Sequence, residues 1–157
     1  EQLYSIASGE GADWAVTIAY IGLGLPSDMP PSLGGAEWFD VRCLPTVSEL
    51  DRNIVDYAIL RLRAKLGYTT IAFHLLPRVF SLSELQEVYE AVLDRPLDKR
   101  NFRRRIQSEA ILEATGETRR EGSHRPARLF QFRAAHDAET YLVPAWAERT
   151  DGESIDT

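Results

Sequence analysis

Apolar and polar positions follow two rhythms along this chain, one of period two and one of three to four. The uncharged, partly β-branched run at 15–25 (AVTIAYIGLGL) predicts a buried strand. A loop rich in Pro, Ser and Gly follows at 26–35. Residues 36–41 (AEWFDV) then alternate in polarity like a short strand. The stretch 43–48, with Pro45 inside it, reads as a connection. Between Glu49 and Leu66 the rhythm changes: Ile54, Tyr57 or Ala58, Leu62 and Leu66 recur at helical spacing. Arg61, Arg63 and Lys65 suit the negative end of that helix, and Gly67 is placed as its C′ stop.

Gly67 to Thr70 is the expected domain boundary. Beyond it, 71–76 (IAFHLL), ended by Pro77, reads as a helix turn or a strand, with the short helix preferred. Ser81 and Glu84 have capping-box spacing and open a helix whose stripe is Leu82, Leu85, Val88, Tyr89 and Val92. Pro96 disfavours helix at the residue before it and closes the segment. Asp98 is placed as the N-cap of the next helix, ending near Glu109 or Ala110. Residues 111–115 read as a strand, 116–126 as a polar basic loop, and 127–132 (ARLFQF) as the returning strand. Helix, helix, short turn, helix, strand, long basic loop, strand is the order of a winged helix-turn-helix.

Composition adds little to that order but removes several function classes. The chain has 157 residues, 44% of them hydrophobic and 27% charged, enough to bury a core. No apolar run reaches the roughly 18 residues of a membrane span. A single cysteine, Cys43, rules out an internal disulfide framework and points to a reducing compartment. His74, His124 and His136 lack ligand-like neighbours, so a zinc site is not expected. The chain opens on Glu1 without Met or a leader, in what reads as the middle of an amphipathic segment. A missing N-terminal portion and a cytoplasmic protein, on the nucleoid when bound, are the expectations.

Charge changes the picture more. The net charge is −6, yet from Arg95 to Arg128 ten Lys/Arg face five acids, a local +5, while the remainder carries −11. A basic island in an acidic chain can attract an anionic polymer. Stepping about 100° per residue from Phe102 puts Ile106 and Ala110 on its side. Arg100, Asn101, Arg104, Gln107 and Ser108 then face outward, flanked by Arg103 and Arg105. Arg donates two hydrogen bonds to a guanine edge, and Asn or Gln pairs with an adenine edge. Lys99, Arg103 and Arg105 suit phosphates, as do Arg119, Arg120, His124 and Arg125 of the expected wing. Base reading is expected from Arg100, Asn101 and Arg104, at the N-terminal turns. The bland alternative is a solvated helix or a protein-docking winged helix, broken up by its five acids.

Other constellations are weaker. Glu84, Glu87 and Glu90 recur every three residues but read as a solvated face rather than a metal site. Cys43 and His74 have no orienting acid. The glycines form no phosphate loop before a helix. Trp14 and Trp38 are expected to pack in a core.

The segments SELQEVYEAVL (83–93) and RPLDKRNFRR (95–104), then EATGE (113–117) and RPARLF (125–130), resemble the C-terminal domain of Nudix-related transcriptional regulators (NrtR). Residues 36–39 and 57–66 are similar to the last strand and last helix of that family's Nudix domain. The resemblance spans about residues 1–133. It implies an α+β chain: a partial Nudix-like α/β remnant over 1–66, a winged helix-turn-helix over 71–133, and an acidic tail over 134–157. It further implies a homodimer on a palindromic double-stranded operator, controlling NAD-metabolism genes in response to ADP-ribose. Related members answer to a sugar instead. The family's ligand pocket lies in the Nudix-like domain, which puts Trp38 and Phe39 on watch.

The departure from the family pattern is the Nudix box, G-x5-E-x7-R-E-U-x-E-E-x-G-U, which does not occur in these 157 residues. Its glutamates hold the divalent metal of a pyrophosphatase. Residues 1–4 look like the segment after the box. This chain is therefore not expected to be an enzyme, to hold a metal or to need a cofactor. A truncated domain should expose strand edges and apolar surface such as Val16, Ile18 and Tyr20. The rival reading is part of a Nudix pyrophosphatase with an appended winged-helix interaction module. Dimer contacts are sought first on the helix from Asp51 to Leu66 and in the tail.

Overall fold

In the computed structural model, residues 1–10, 13–25, 37–120 and 126–133 are described. The chain forms two compact units, Glu1–Arg61 and Leu62–Thr157. The division falls inside a helix rather than at the expected Gly67–Thr70 linker. The reason is local packing. Lys65 and Leu66 are buried, and the Lys65 carbonyl accepts from both the backbone and the hydroxyl of buried Thr69, at 2.8 Å each. The last helical turn is thus tied to the segment beyond it.

In the first unit, β1 (Gln2–Glu10) pairs antiparallel with β2 (Asp13–Tyr20). Gly9 sits at φ 117°, where a Cβ would run into the Asp13 carbonyl oxygen, so the approach of the two strands needs glycine. β1 itself was not foreseen in the sequence. Helix α1 (Glu49–Leu66) has the bounds its periodicity predicts. In this unit the Tyr57 ring meets Tyr4 edge-on at 5.0 Å, and Arg61 pairs with Glu1 at 2.7 Å. Gly67 follows the helix without left-handed backbone. The end is closed instead by tight backbone bonds, including Gly67 N–H to the Ala64 carbonyl.

Three expectations for this unit fail. The strand at 15–25 is shorter and not buried: Trp14, Val16, Ile18 and Tyr20 are exposed, Tyr20 at 67%. They alternate along β2 and therefore share one face, and a two-stranded ribbon has no second layer on that side among the described residues. Residues 37–40 are irregular and lead into a 3-10 turn at Val41–Cys43, not a strand. There the Asp40 carboxylate, held down to about 2 by hydrogen bonds from Arg42, caps the turn. Trp14 and Trp38 do not pack in a core, being about two-thirds exposed. The foreseen exposure of Val16, Ile18 and Tyr20 is present.

After the last turns of α1, the second unit continues with a 3-10 helix, Ile71–Leu75, and a short strand β3 (Val79–Ser81) absent from the sequence reading. Helices α2 (Leu82–Leu93) and α3 (Lys99–Ser108) follow, then β4 (Leu112–Arg119) and β5 (Ala127–Phe132). The sheet order is β3-β5-β4, all antiparallel, with Phe80 opposite Phe130 and Leu112 opposite Phe132. β4 runs past Gly116, predicted as loop. Gly116 takes φ 80° inside an irregular register between Ala114 and Thr118, a kink that lets the strand continue. Ala72, Leu85, Phe80, Ile106 and Ile111 form the driest part of the apolar core, each no more than 2% exposed. Phe73 stacks on Phe132 at 4.5 Å behind them.

Candidate nucleic-acid interface

The geometry of α3 begins in α2. Ser81 and Glu84 make the capping box in both directions: Glu84 accepts from the Ser81 N–H at 2.7 Å, and the Ser81 hydroxyl accepts from the Glu84 N–H at 3.2 Å. Asp94, in left-handed backbone, ends the helix. The turn onward is then held by α2 side chains. Glu90 accepts from the Leu97 N–H at 2.7 Å and from Gln86 at 2.9 Å, while Gln86 also donates to the Leu97 carbonyl at 3.0 Å. Those bonds hold the Glu90 carboxyl below its ordinary range, the Leu97 N–H contributing most. Glu84 and Glu90 are therefore bonded structural groups, and only Glu87 of the three is a plainly solvated acid. No cluster of metal-ligating side chains occurs among the described residues.

Asp98 caps α3 by accepting from the Asn101 N–H at 2.8 Å. Phe102 and Ile106 are buried, with the Phe102 ring edge-on to Tyr89 at 5.3 Å. Burial drives the Tyr89 hydroxyl up to about 12. With those anchors inward, Arg100, Asn101, Arg104, Gln107 and Ser108 are all exposed. Ala110, assigned to the core side, is exposed too. It lies past the helix at φ 51°, where the 100° step no longer applies.

The cations differ in what occupies them. Arg104 donates to the Asn101 side chain at 3.1 Å, which pre-sets a paired donor and acceptor on the outer face. Arg105 pairs with Glu109 at 3.3 Å, and Arg119 at the end of β4 pairs with Glu84. Arg103 does not flank the outer face. It turns toward α2, donating to the Ser83 hydroxyl at 3.3 Å, while its Nε is shielded from solvent and lacks a hydrogen-bond partner. Lys99 and Arg120 are exposed. His124 and Arg125 lie outside the described residues, as does the acidic tail. Of the acids in the basic window, Asp98 caps, Glu109 is paired and Glu113 accepts from Gln131 at 3.3 Å. The outer turn of α3 is left with Arg100, Asn101 and Arg104 as an edge of donors and one acceptor, chemistry that fits base edges.

Sequence reasoning missed Ser83, Gln86, Glu90 and Arg128 as parts of this region. The capping box made Ser83 visible only as helix. Arg128, exposed on β5, was counted in the charge but not placed. Trp38 and Phe39 stand exposed in irregular chain.

Comparison with known proteins gives the same outline. Residues 72–132 match the family described as the NrtR DNA-binding winged helix domain. The chain is 32% identical over 139 residues to the ADPR responsive transcriptional repressor NtrR of Acinetobacter baylyi, covering 84% of this chain and 55% of that protein. It thus spans about half the length of that curated relative. Among solved structures it resembles Shewanella oneidensis NrtR, with a TM-score of 0.72 at 27% identity. It also resembles the same protein complexed with a 27mer DNA, with a TM-score of 0.70 at 26% identity. Each match covers 92% of this chain and 68% of the other.

Proposed function

We propose that this chain, whose residues 72–132 match the NrtR DNA-binding winged helix domain, is part of a DNA-binding transcriptional repressor. The observation that carries the reading is the outer face of α3. Arg100, Asn101 and Arg104 are exposed together while Phe102 and Ile106 are locked behind them. In this reading α3 enters a major groove. Arg100, Asn101 and Arg104 read base edges, with Gln107 at the margin. Lys99, Arg103, Arg105, Arg119, Arg120, His124 and Arg125 supply the attraction to the backbone. Arg105 and Arg119 contribute less than an unpaired arginine, because each already faces a carboxylate.

The protein acts in the cytoplasm as a homodimer on a palindromic site, the arrangement that reads two half-sites one helical turn apart. Its effector is ADP-ribose, the ligand that gives the Acinetobacter baylyi relative its name, bound in the Nudix-like part. NAD-metabolism genes are the targets. The chain works as a binding protein rather than a hydrolase, since the box that would hold a metal does not occur in it. No helix among the described residues is long and apolar enough to cross a membrane.

Binding-site selection on random duplex tests the reading. Arg100→Ala is expected to relax preference at one position per half-site, at a cost of about 1–3 kcal/mol. An unchanged selected motif would defeat the assignment of α3 as the reading helix.

A further inference from the structure

A concavity of about 730 Å³ lies in the second unit between the start of α2, the inner side of α3 and the base of the two-stranded β4–β5 arm. Among its lining are Ser83, Lys99, Arg103, Gln107, Arg119 and Arg128. Lys99, Arg103 and Gln107 stand four residues apart on α3, so they form one ridge along the helix, distinct from the outer turn of Arg100, Asn101 and Arg104. Four cations converge there, and among the described residues the lining contains no acid. Glu84 engages Arg119 from beside the cavity, so Lys99, Arg103 and Arg128 carry the uncompensated charge.

Arg103 is the informative group. Its one bond within the cavity is long, 3.3 Å to Ser83, and its Nε has no hydrogen-bond partner. Buried donors are ordinarily satisfied, and leaving one bare costs free energy. An arginine held in this state gains more than a solvated one when an anion arrives, because a tetrahedral oxyanion offers its fork the paired acceptors that a hydroxyl cannot. The start of α2 adds the positive end of a helix dipole on the same side.

We propose that this concavity is a seat for one backbone phosphodiester of double-stranded DNA. Ser83 and Arg103 form its floor, with Lys99 and Arg128 on its two sides. The proposal rests on the DNA-binding reading and deepens it. Backbone grip is divided between the wing and this inner ridge, so Arg103 acts on the phosphate side of α3 rather than on its base-reading side, with Gln107 on the border between the two. Ser83 and Arg128 become binding residues.

The test has two arms on the full chain. In the first, duplex affinity is followed by fluorescence anisotropy across salt for wild type, Ser83→Asp and Arg128→Ala. Ser83→Asp places a carboxylate in the seat at a helix position that favours acids, so folding should survive, and equal melting by circular dichroism checks this. Each variant should lose about one phosphate contact. The log–log salt slope should flatten by about 0.9, and affinity at 0.1 M salt should fall roughly eightfold. Wild-type affinity and slope in both variants would overturn the seat.

In the second arm, inorganic phosphate is titrated against ¹⁵N-labelled chain. The Ser83 amide and Arg103 Nε–H resonances should move ahead of the Arg100 and Arg104 Nε–H signals. Uniform or absent shifts would overturn the seat. Selective phosphate shifts in a chain that binds no duplex would keep the anion seat while overturning the DNA-binding reading.

Discussion

Glu84 is a residue at which one substitution separates two interactions of different kinds, a part-buried hydrogen bond and a part-exposed ion pair. Its carboxylate accepts from the Ser81 N–H at 2.7 Å and engages the Arg119 guanidinium at the end of β4. Ser81 is 6% exposed, so Glu84→Ala strands a buried backbone donor, worth about 1–3 kcal/mol. The part-exposed ion pair adds up to about 1 kcal/mol. Glu84→Gln keeps an acceptor for Ser81 and removes only the charge, so it should cost less than about 1 kcal/mol. Urea unfolding followed by circular dichroism reads the difference. Glu84→Ala should move the midpoint by about 1 M at unchanged slope, and Glu84→Gln by a fraction of that. The pH dependence supplies a second readout. Burial pushes the Glu84 carboxyl up, but hydrogen bonds from Ser81 and the pairing with Arg119 outweigh it, and the net shift is downward. A lowered carboxyl contributes stability above its unfolded value, near pH 4.5, and that stability is lost as pH falls through the folded value. The acid limb should therefore be shallower in Glu84→Gln. Equal destabilisation by Ala and Gln would refute the primacy of the Ser81 bond, and an identical acid limb in Gln would refute the charge contribution.

Other outcomes rest on the same geometry. Asp98→Ala should cost about 1 kcal/mol and speed hydrogen exchange through α3, whereas Asp98→Asn, which still accepts from Asn101, should cost only a few tenths; equal losses would remove the cap from the account. Tyr89, pushed up to about 12 by burial, is a raised acid whose stabilising contribution is complete below pH 10 and disappears as pH rises toward 12. Tyr89→Phe should abolish that alkaline loss, about 2–3 kcal/mol by linkage, in melts between pH 9 and 12. Gly116→Val should weaken the β4–β5 pairing, because a β-branched residue resists φ 80°; unchanged melting would mean that the kink is not required.

The parts of this molecule legible in one dimension are those whose determinants lie within a turn of each other. α1 and β5 have the predicted bounds, and both N-caps in the second unit use the predicted side chains. The outer face of α3 was also readable, since a ten-residue helix anchored by Phe102 and Ile106 leaves the 100° step little freedom. β1 and β3 were not readable. β3 is three residues long and exists because β5 offers it a partner about fifty residues later. The expected burial of 15–25 failed for a related reason. Apolar alternation shows that a strand has an apolar face, not that anything among the described residues covers it.

The sequence by itself determined the helices α1, α2 and α3, the N-caps of α2 and α3, the location of the basic island and the identity of the outward arginines. Each of these rests on hydrogen bonds or periodicity spanning a few residues. The tertiary structure alone decided which cations are engaged and which are not. Arg103 meets Ser83 across twenty residues, and Glu84 meets Arg119 across a longer stretch, once the helices pack and the strands pair. Charge counting treats all ten basic residues alike. Packing makes them unequal, because a guanidinium's worth depends on the carboxylate, hydroxyl or solvent that the folded chain puts beside it.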